Sequence, residues 1–427
     1  MLIGFSFKNF MSFYEENIFT MHANTDNKYR DFNIIKTKHG RLLKSAFVFG
    51  ANGSGKTNFI QALLWMNEVV VSDLSMQSKL VSDVPHFQFH NEALNTPTMM
   101  EVQFIVGETL YEYGFEILKG EVVKEYLNRK TGQRLTPVFV RNSSDFNDIS
   151  FTGKEMDNVK DLTKNTRKDN LFLYWANGGN NEIAIEVHRW FESLGFMNMY
   201  TENYFPEETI SYVQKQGKQK ILDLLKQADV NILDFSMDIL EEDPSFKKML
   251  KKSVADKLPP VTSLSVETVH HYYDSDWCNP KPISVPFNFE SAGTQKLFEI
   301  AGFILNALEK GKVIFIDELD SRLHPLLVRY LVMLFNSISK NPNNAQLICN
   351  THDVLLLDEE IRRDQIYFTE KNKYGVTEMY ALTDFTGIRK DSKLLRKYLL
   401  GLFGAIPNIR AHLTPTPHQE EIDDGKD

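Results

Sequence analysis

Cysteine is nearly missing from this sequence: Cys278 and Cys349 are the two in a chain of 427 residues. They cannot form a disulfide framework, and such scarcity suits a reducing compartment. Each is expected to be a small buried hydrophobe, the usual fate of a free thiol. Long hydrophobic runs are missing as well; none approaches the roughly 18 residues that span a bilayer. No membrane is therefore expected as a partner. The N-terminus, "MLIGFSFKNFMSFYEEN", alternates like a strand and lacks a charged n-region and a small-residue cleavage site. It does not read as a signal peptide, and the expected location is the cytoplasm. Surplus positive charge is also lacking: 48 Lys and Arg stand against 57 Asp and Glu, for a net charge of −9. That excludes a surface coated for non-specific nucleic-acid binding. A local basic stretch, "KKMLKKSVADK", gathers Lys247, Lys248, Lys251, Lys252 and Lys257. It reads either as the solvated face of a short helix or as a nucleic-acid contact.

What is present is a soluble globular composition, 42% hydrophobic and 25% charged. The length suits one large domain with an insertion, or two ordinary ones. "LIGFSFKNF" and "ENIFTMHA" read as two strands, and residues 98–142 as an antiparallel meander with glycine-marked turns. "SAFVFG", "KVIFID" and "AQLICNTH" are short, apolar and separated by helical patterns. Strands alternating with helices imply a parallel α/β sheet. Helices are expected from Thr57 to Val71, over about 294–309 and over about 325–339, with a docking C-terminal helix over "SKLLRKYLLGLFGAIPNI", residues 392–409. Residues 143–280 read as a mostly helical insertion without sustained heptads, which excludes a long coiled-coil arm. Ile210, Val213, Ile221, Leu224 and Leu225 form its packing stripe. The expected division is 1–142 and 281–410 for the two parts of one head, 143–280 for the insertion, and 411–427 for a disordered acidic tail.

"GANGSGKT", from Gly50 to Thr57, fits G-x-x-x-x-G-K-[ST] between an apolar strand and a helix. A chance match in a chain this long has odds on the order of one in a hundred. Gly50, Gly53 and Gly55 let backbone N–H groups wrap phosphate oxygens without interference from Cβ atoms. Lys56 is expected to reach the β- and γ-phosphates, and the Thr57 hydroxyl to ligate Mg²⁺. Asn52, Ser54 and Asn58 complete the expected nucleotide contacts. In "KVIFIDELDSRLHP" a buried strand ends in Asp317 and Glu318. Two carboxylates there are costly unless they meet a metal or a proton-transfer task. Asp317 is the expected Mg²⁺ residue and Glu318 the general base, a role worth roughly 10²–10⁴ in rate. "LICNTHDVLLLD" places Thr351 and His352 after a third apolar strand, where the imidazole is expected to sense the γ-phosphate. Asp320 and His324 read equally as subunit-boundary or turn-capping residues. His270 and His271 lie beside Tyr272 and Tyr273 in an alternating stretch and are expected to be structural.

A phosphate loop, a carboxylate pair and a histidine strand, in that order, resemble the head of an ABC-type ATPase. Ring-forming AAA+ proteins share the first two elements, but no arginine-finger segment is recognisable here. In ABC ATPases a short serine-glycine signature opens the helix before the carboxylate strand, and "ESAGTQ" occupies that place. The resemblance implies that Ser291 and Gly293 approach a nucleotide held by another copy. Ala292 replaces the first glycine of the usual signature, and Thr294 stands where glutamine is common. Gln88 and Gln103 are the two candidates for the glutamine loop.

The wider pattern is similar to the RecF/SMC/OLD-like branch, most of all to the AbiLi/RloA-like abortive-infection ATP-binding proteins. "FKNFMSF", "ESAGTQKLFEIAGF", "DELDSRLHP" and "YLLGLFGAIP" carry that similarity, which covers residues 1–120 and 285–410. It implies an α/β P-loop fold: a parallel core sheet, an antiparallel β lobe and a mostly helical insertion. It further implies ATP hydrolysis with Mg²⁺, and a homodimer or higher homo-oligomer formed through the ATP sites. A separately encoded effector in phage defence or restriction is the implied partner. The competing expectation is an ATP-dependent DNA-binding module for repair or recombination.

Overall fold

A computed structural model describes residues 1–132, 134–198, 207–228, 230–240, 263–388 and 392–407. The lysines of the basic stretch and the acidic tail lie outside these residues. Ser45–Gly50, Val313–Asp317 and Gln346–Asn350 are strands buried along their whole length. That is the expected fate of short apolar runs without polar alternation. They sit in a six-stranded sheet, in the order Gly195–Asn198, Val313–Asp317, Gln346–Asn350, Ser45–Gly50, Ile366–Lys371, Thr377–Ala381. Neighbours are parallel except for the last pair, which is the expected closing hairpin.

Successive side chains of a strand point to opposite faces, and here both faces are cores. Ala46, Val48, Val313, Phe315 and Ile348 enter one; Phe47, Phe49, Ile314, Ile316, Leu347 and Cys349 enter the other. The first core is closed by the helix Lys56–Val71 and by a seven-stranded antiparallel sheet. That sheet runs Ile149–Phe151, Arg134–Arg141, Glu121–Thr131, Thr109–Leu118, Thr98–Val106, Leu2–Lys8, Asn17–Thr20. The second core is closed by the helices Ala292–Lys310 and Pro325–Asn336 and by Ile221, Leu224 and Leu225. Each fully buried Leu, Ile or Phe in these layers contributes about 1.5–3 kcal/mol. The result is a mixed α/β P-loop fold with a parallel core sheet and an antiparallel lobe.

Several local expectations are corrected. Residues 143–280 carry strands among their helices: Gly195–Asn198 joins the parallel sheet, and Asp234–Leu240 and Ser263–Tyr272 join Lys281–Pro286 in a third, antiparallel sheet. Gly217, at φ 81°, divides the helical stretch there into Glu207–Gln216 and Gln219–Gln227. The helix Pro325–Asn336 stops early because Ser337 turns extended and the Asn341 side chain takes up the Phe335 carbonyl at 2.7 Å. The C-terminal helix is only Leu394–Leu399, ended by left-handed glycines at 401 and 404. Cys349 is buried as expected, whereas Cys278 is exposed in a hairpin tip. Among the described residues, no helix is long and apolar enough to cross a membrane.

Candidate functional site

The parallel strands deliver their polar ends to one rim of the sheet. At the first of these ends the chain leaves Gly50, turns through Ala51–Ser54 and enters the helix at Lys56. A Cβ on Gly50 would lie 2.5 Å from Ser54 Oγ and 2.6 Å from the Thr369 carbonyl. One on Gly55, whose φ is 109°, would lie 2.5 Å from Thr377 Oγ1. Both positions therefore require glycine for packing, and Gly55 requires it for conformation as well. Gly53 differs: at φ 73° a Cβ there would meet nothing within 4 Å, and Asn52 and Gly53 are exposed.

The loop is braced from beneath. Ser54 Oγ pairs with Thr369 Oγ1 at 2.7 Å, and Thr377 Oγ1 donates to Ser54 O at 2.9 Å. Asn58 Nδ2 donates to Ser12 Oγ at 2.8 Å. The side chains of Ser54 and Asn58 thus serve the loop's own foundation, and the Ser54 N–H closes the turn on the Ala51 carbonyl at 3.2 Å. Ser12, Thr369 and Thr377 went unnoticed in the sequence, since lone hydroxyls carry no spacing signal.

Lys56 is buried, and its Nζ donates to Gly50 O at 2.9 Å and Ala51 O at 3.1 Å. Burial lowers its pKa, and the nearby carboxylates Glu318, Asp320 and Asp317 oppose that shift. An ammonium resting on loop carbonyls can swing out to a phosphate without leaving the loop.

Asp317 is 2% exposed. Its Oδ1 accepts from Thr57 Oγ1 at 3.0 Å and from Asn350 Nδ2. Its Oδ2 is buried with no hydrogen-bond partner. Burial raises the carboxyl pKa above its ordinary 3.8, and the bonds from Asn350 and Thr57 pull it back. An orphaned buried carboxylate oxygen beside a threonine hydroxyl fits a hard divalent cation such as Mg²⁺. Among the described residues, no group of three or more His, Cys, Asp and Glu side chains could hold a metal. A cation here would complete its shell with phosphate oxygens and water, as Mg²⁺ commonly does.

Glu318 follows directly, with the left-handed φ of 56°. Its backbone N–H donates to Asn350 Oδ1, so one amide side chain binds Asp317 and the Glu318 backbone together. Asn350 was overlooked in the sequence. Its signal was a polar residue ending an apolar strand, the same cue that marks Asp317. His352 Nε2 lies 3.4 Å from Glu318 Oε1, with the imidazole 36% exposed. Asp320 Oδ1 accepts from Thr351 Oγ1 at 2.7 Å and from the His352 N–H at 3.0 Å. Asp320 therefore latches the histidine loop. His324 caps the helix Pro325–Asn336, accepting from Leu326 N at 3.2 Å.

Ser291 and Gly293 are not brought to this rim. Ser291 caps the helix Ala292–Lys310, its Oγ accepting from Thr294 N at 3.1 Å. Ser291 and Ala292 are exposed. A Cβ on Gly293 would come 3.1 Å from the Arg322 carbonyl, so packing within the chain also keeps that turn small. The turn opens on a cleft of about 430 Å³ lined by His270, Glu290, Arg322 and His324, and by no residue of the phosphate loop. Gln103 pairs with Glu112 at 2.7 Å inside the antiparallel sheet, and Gln88 donates to His86 O at 3.1 Å. Neither side chain is directed to the phosphate loop by these bonds.

A family profile described as "AAA domain, putative AbiEii toxin, Type IV TA system" matches residues 45–358. That span begins with the phosphate-loop strand and runs past His352, so it takes in the phosphate loop, Asp317, Glu318, Asn350 and His352, while the bracing residues Ser12, Thr369 and Thr377 lie outside it. The chain belongs to this family. As an AAA-domain protein it is a P-loop ATPase, and ATP is the ligand its loop implies. No curated protein matches the AAA-domain chain by sequence. Among solved structures it is similar to an SMC head bound to the C-terminal winged-helix domain of ScpA. Identity there is 14%, over 89% of this chain and 97% of that one, with a TM-score of 0.33. It is also similar to CbiO1 of Clostridium perfringens, part of an ABC transporter complex. That pair is 11% identical over 83% of this chain and 87% of the other, with a TM-score of 0.28.

Proposed function

We propose that this ATPase works as a pair of heads that sandwich ATP, close on binding it and open on hydrolysis. The observation that carries the ATP chemistry of this reading is the orphaned oxygen of Asp317, set beside Thr57 and clamped to Glu318 through Asn350. A fold meets the cost of such a carboxylate when a cation and phosphates complete it. Bound Mg²⁺ would supply charge neutralisation at the phosphates, held by Thr57 and Asp317. The backbone from Asn52 to Asn58 cradles the phosphate oxygens, with Gly53 keeping the cradle open and Gly50 and Gly55 letting the loop pack on Ser54, Thr369 and Thr377. Lys56 leaves the Gly50 and Ala51 carbonyls for the phosphates. Glu318 takes a proton from the attacking water, and His352, held by Asp320, contacts the γ-phosphate. The exposed Ser291 and the half-buried Gly293, in a cleft lined by no residue of the chain's own phosphate loop, serve the ATP of a second copy.

The closing and opening of the pair gates a separately encoded effector in anti-phage defence. Support for that role is the family itself, whose description names a toxin–antitoxin association. Glu318→Gln tests the chemistry. It is expected to keep ATP, accumulate an ATP-bound dimer and lose about 10²–10⁴ in phosphate release. Full turnover by that variant would remove Glu318 from its role.

A further inference from the structure

The three-stranded sheet is joined to the Ser291 turn by more than chain continuity. Its edge strand Lys281–Pro286 is exposed at nearly every position and runs into the short turn Phe287–Phe289 and then Glu290. Glu290 folds back over the middle strand. Its Oε1 accepts from Thr268 Oγ1 at 2.5 Å and from His270 Nε2 at 2.6 Å. Thr268 is fully buried, and the Glu290 and His270 side chains are 12% and 28% exposed. Charge-assisted bonds in such partial shelter are stronger than their exposed counterparts.

The same residue is gripped from the helix side by its main chain. Gln295 Nε2 donates to Glu290 O at 2.9 Å and to Phe287 O at 3.2 Å, and the Phe287 ring meets Phe298 at 4.9 Å. Glu290 is therefore where the sheet and the helix Ala292–Lys310 hold one residue, and Ser291 is the next along the chain. Any shift of the sheet pulls on the backbone that presents Ser291.

We propose that Glu290 is a positioning residue that ties the three-stranded sheet to the Ser291–Gly293 turn, so that the sheet sets how well this turn completes the ATP site of a second copy. This rests on the two-copy reading above. Glu290→Ala is expected to lower kcat for ATP about tenfold, the scale of one lost charged hydrogen bond, with KM and single-head ATP affinity unchanged. Thr268→Val and His270→Phe, which cut the same tie from the sheet, should each produce a smaller loss of the same kind. Glu290→Gln, which keeps an acceptor, should recover part of the rate. Combining Glu290→Ala with His270→Phe should cost no more than Glu290→Ala alone, since one tie cannot be cut twice. If Glu290→Ala does not fold, the Thr268 and His270 variants decide. Wild-type kcat in these variants, or equal losses of kcat and ATP affinity, overturns the tie. Ser291→Arg separates the two failures. If it leaves turnover intact, the two-copy reading itself falls; if it blocks turnover while Glu290→Ala does not, only the tie falls.

Discussion

The side-chain amide of Asn350 donates to Oδ1 of Asp317, across two parallel strands whose register sets their polar ends side by side. Its carbonyl oxygen meanwhile accepts the Glu318 N–H. Removing it with Asn350→Leu should lower phosphate release about 10–100-fold, the usual cost of losing a residue that orients a metal-binding group. The same change leaves Asp317 with one donor fewer and should cost about 1–3 kcal/mol of stability. Steady-state phosphate release and thermal melts check both parts. An Asn350→Leu variant with unaltered turnover would show that Asp317 and Glu318 need no such clamp.

Two of the loop glycines, Gly53 and Gly55, should not respond alike to alanine. Gly55→Ala combines a left-handed φ with a 2.5 Å clash against Thr377, so both folding and nucleotide binding should suffer. Gly53→Ala meets open space and should cost only the left-handed penalty, about 1–2 kcal/mol. It should nevertheless weaken ATP, because the space a Cβ would take there belongs to the cradle. Melting curves with and without ATP separate the two cases. Equal melting losses would contradict the difference in packing.

Asp320→Ala releases the hydroxyl of Thr351 and the N–H of His352 together. ATP affinity should change little, since Asp320 makes neither contact with the phosphate loop. Turnover should fall about tenfold through a misplaced imidazole. His352→Ala should lose a similar factor, and the double variant should lose little more. An additive double variant would mean that Asp320 acts elsewhere.

Mixing two inactive variants tests the composite site directly. Lys56→Ala spoils a head's own cradle, and Ser291→Arg spoils what that head offers its neighbour. Each alone should be inactive, but a mixed pair contains one site built from an intact cradle and an intact Ser291. Partial recovery of ATP turnover on mixing is the expected result. Two proteins that stay inactive together, although light scattering shows them paired, would exclude a shared site.

The parts of the molecule governed by short-range chemistry were legible in its sequence. The buried strands were visible because apolar runs such as Val313–Ile316 fit no solvated structure. The phosphate loop and Asp317–Glu318 were visible because glycines and carboxylates at such places are costly without a task. Asn350 was harder to find, because its role depends on a neighbour 33 positions earlier in the chain that only sheet pairing brings alongside. Ser12, Thr369 and Thr377 were hidden for the same reason. The C-terminal helix was overestimated because leucine spacing outweighed Gly401 and Gly404, whose left-handed conformations end it. The pairing of His270 with Glu290 could not be anticipated, since a lone histidine in a strand gives no hint of its partner.

The strand Gly195–Asn198 has a consequence for anyone trimming this chain. It pairs with Val313–Asp317 in parallel, with Asn198 opposite Asp317. Without it, the carboxylate strand would become the border of the sheet, with a row of unpaired amides beside its most costly residue. Bare borders of that kind recruit foreign strands and seed aggregation. A shortened chain that joins the meander directly to the helix at Ala292 should therefore precipitate rather than yield a smaller ATPase, whereas one that retains residues 182–198 keeps the border sealed.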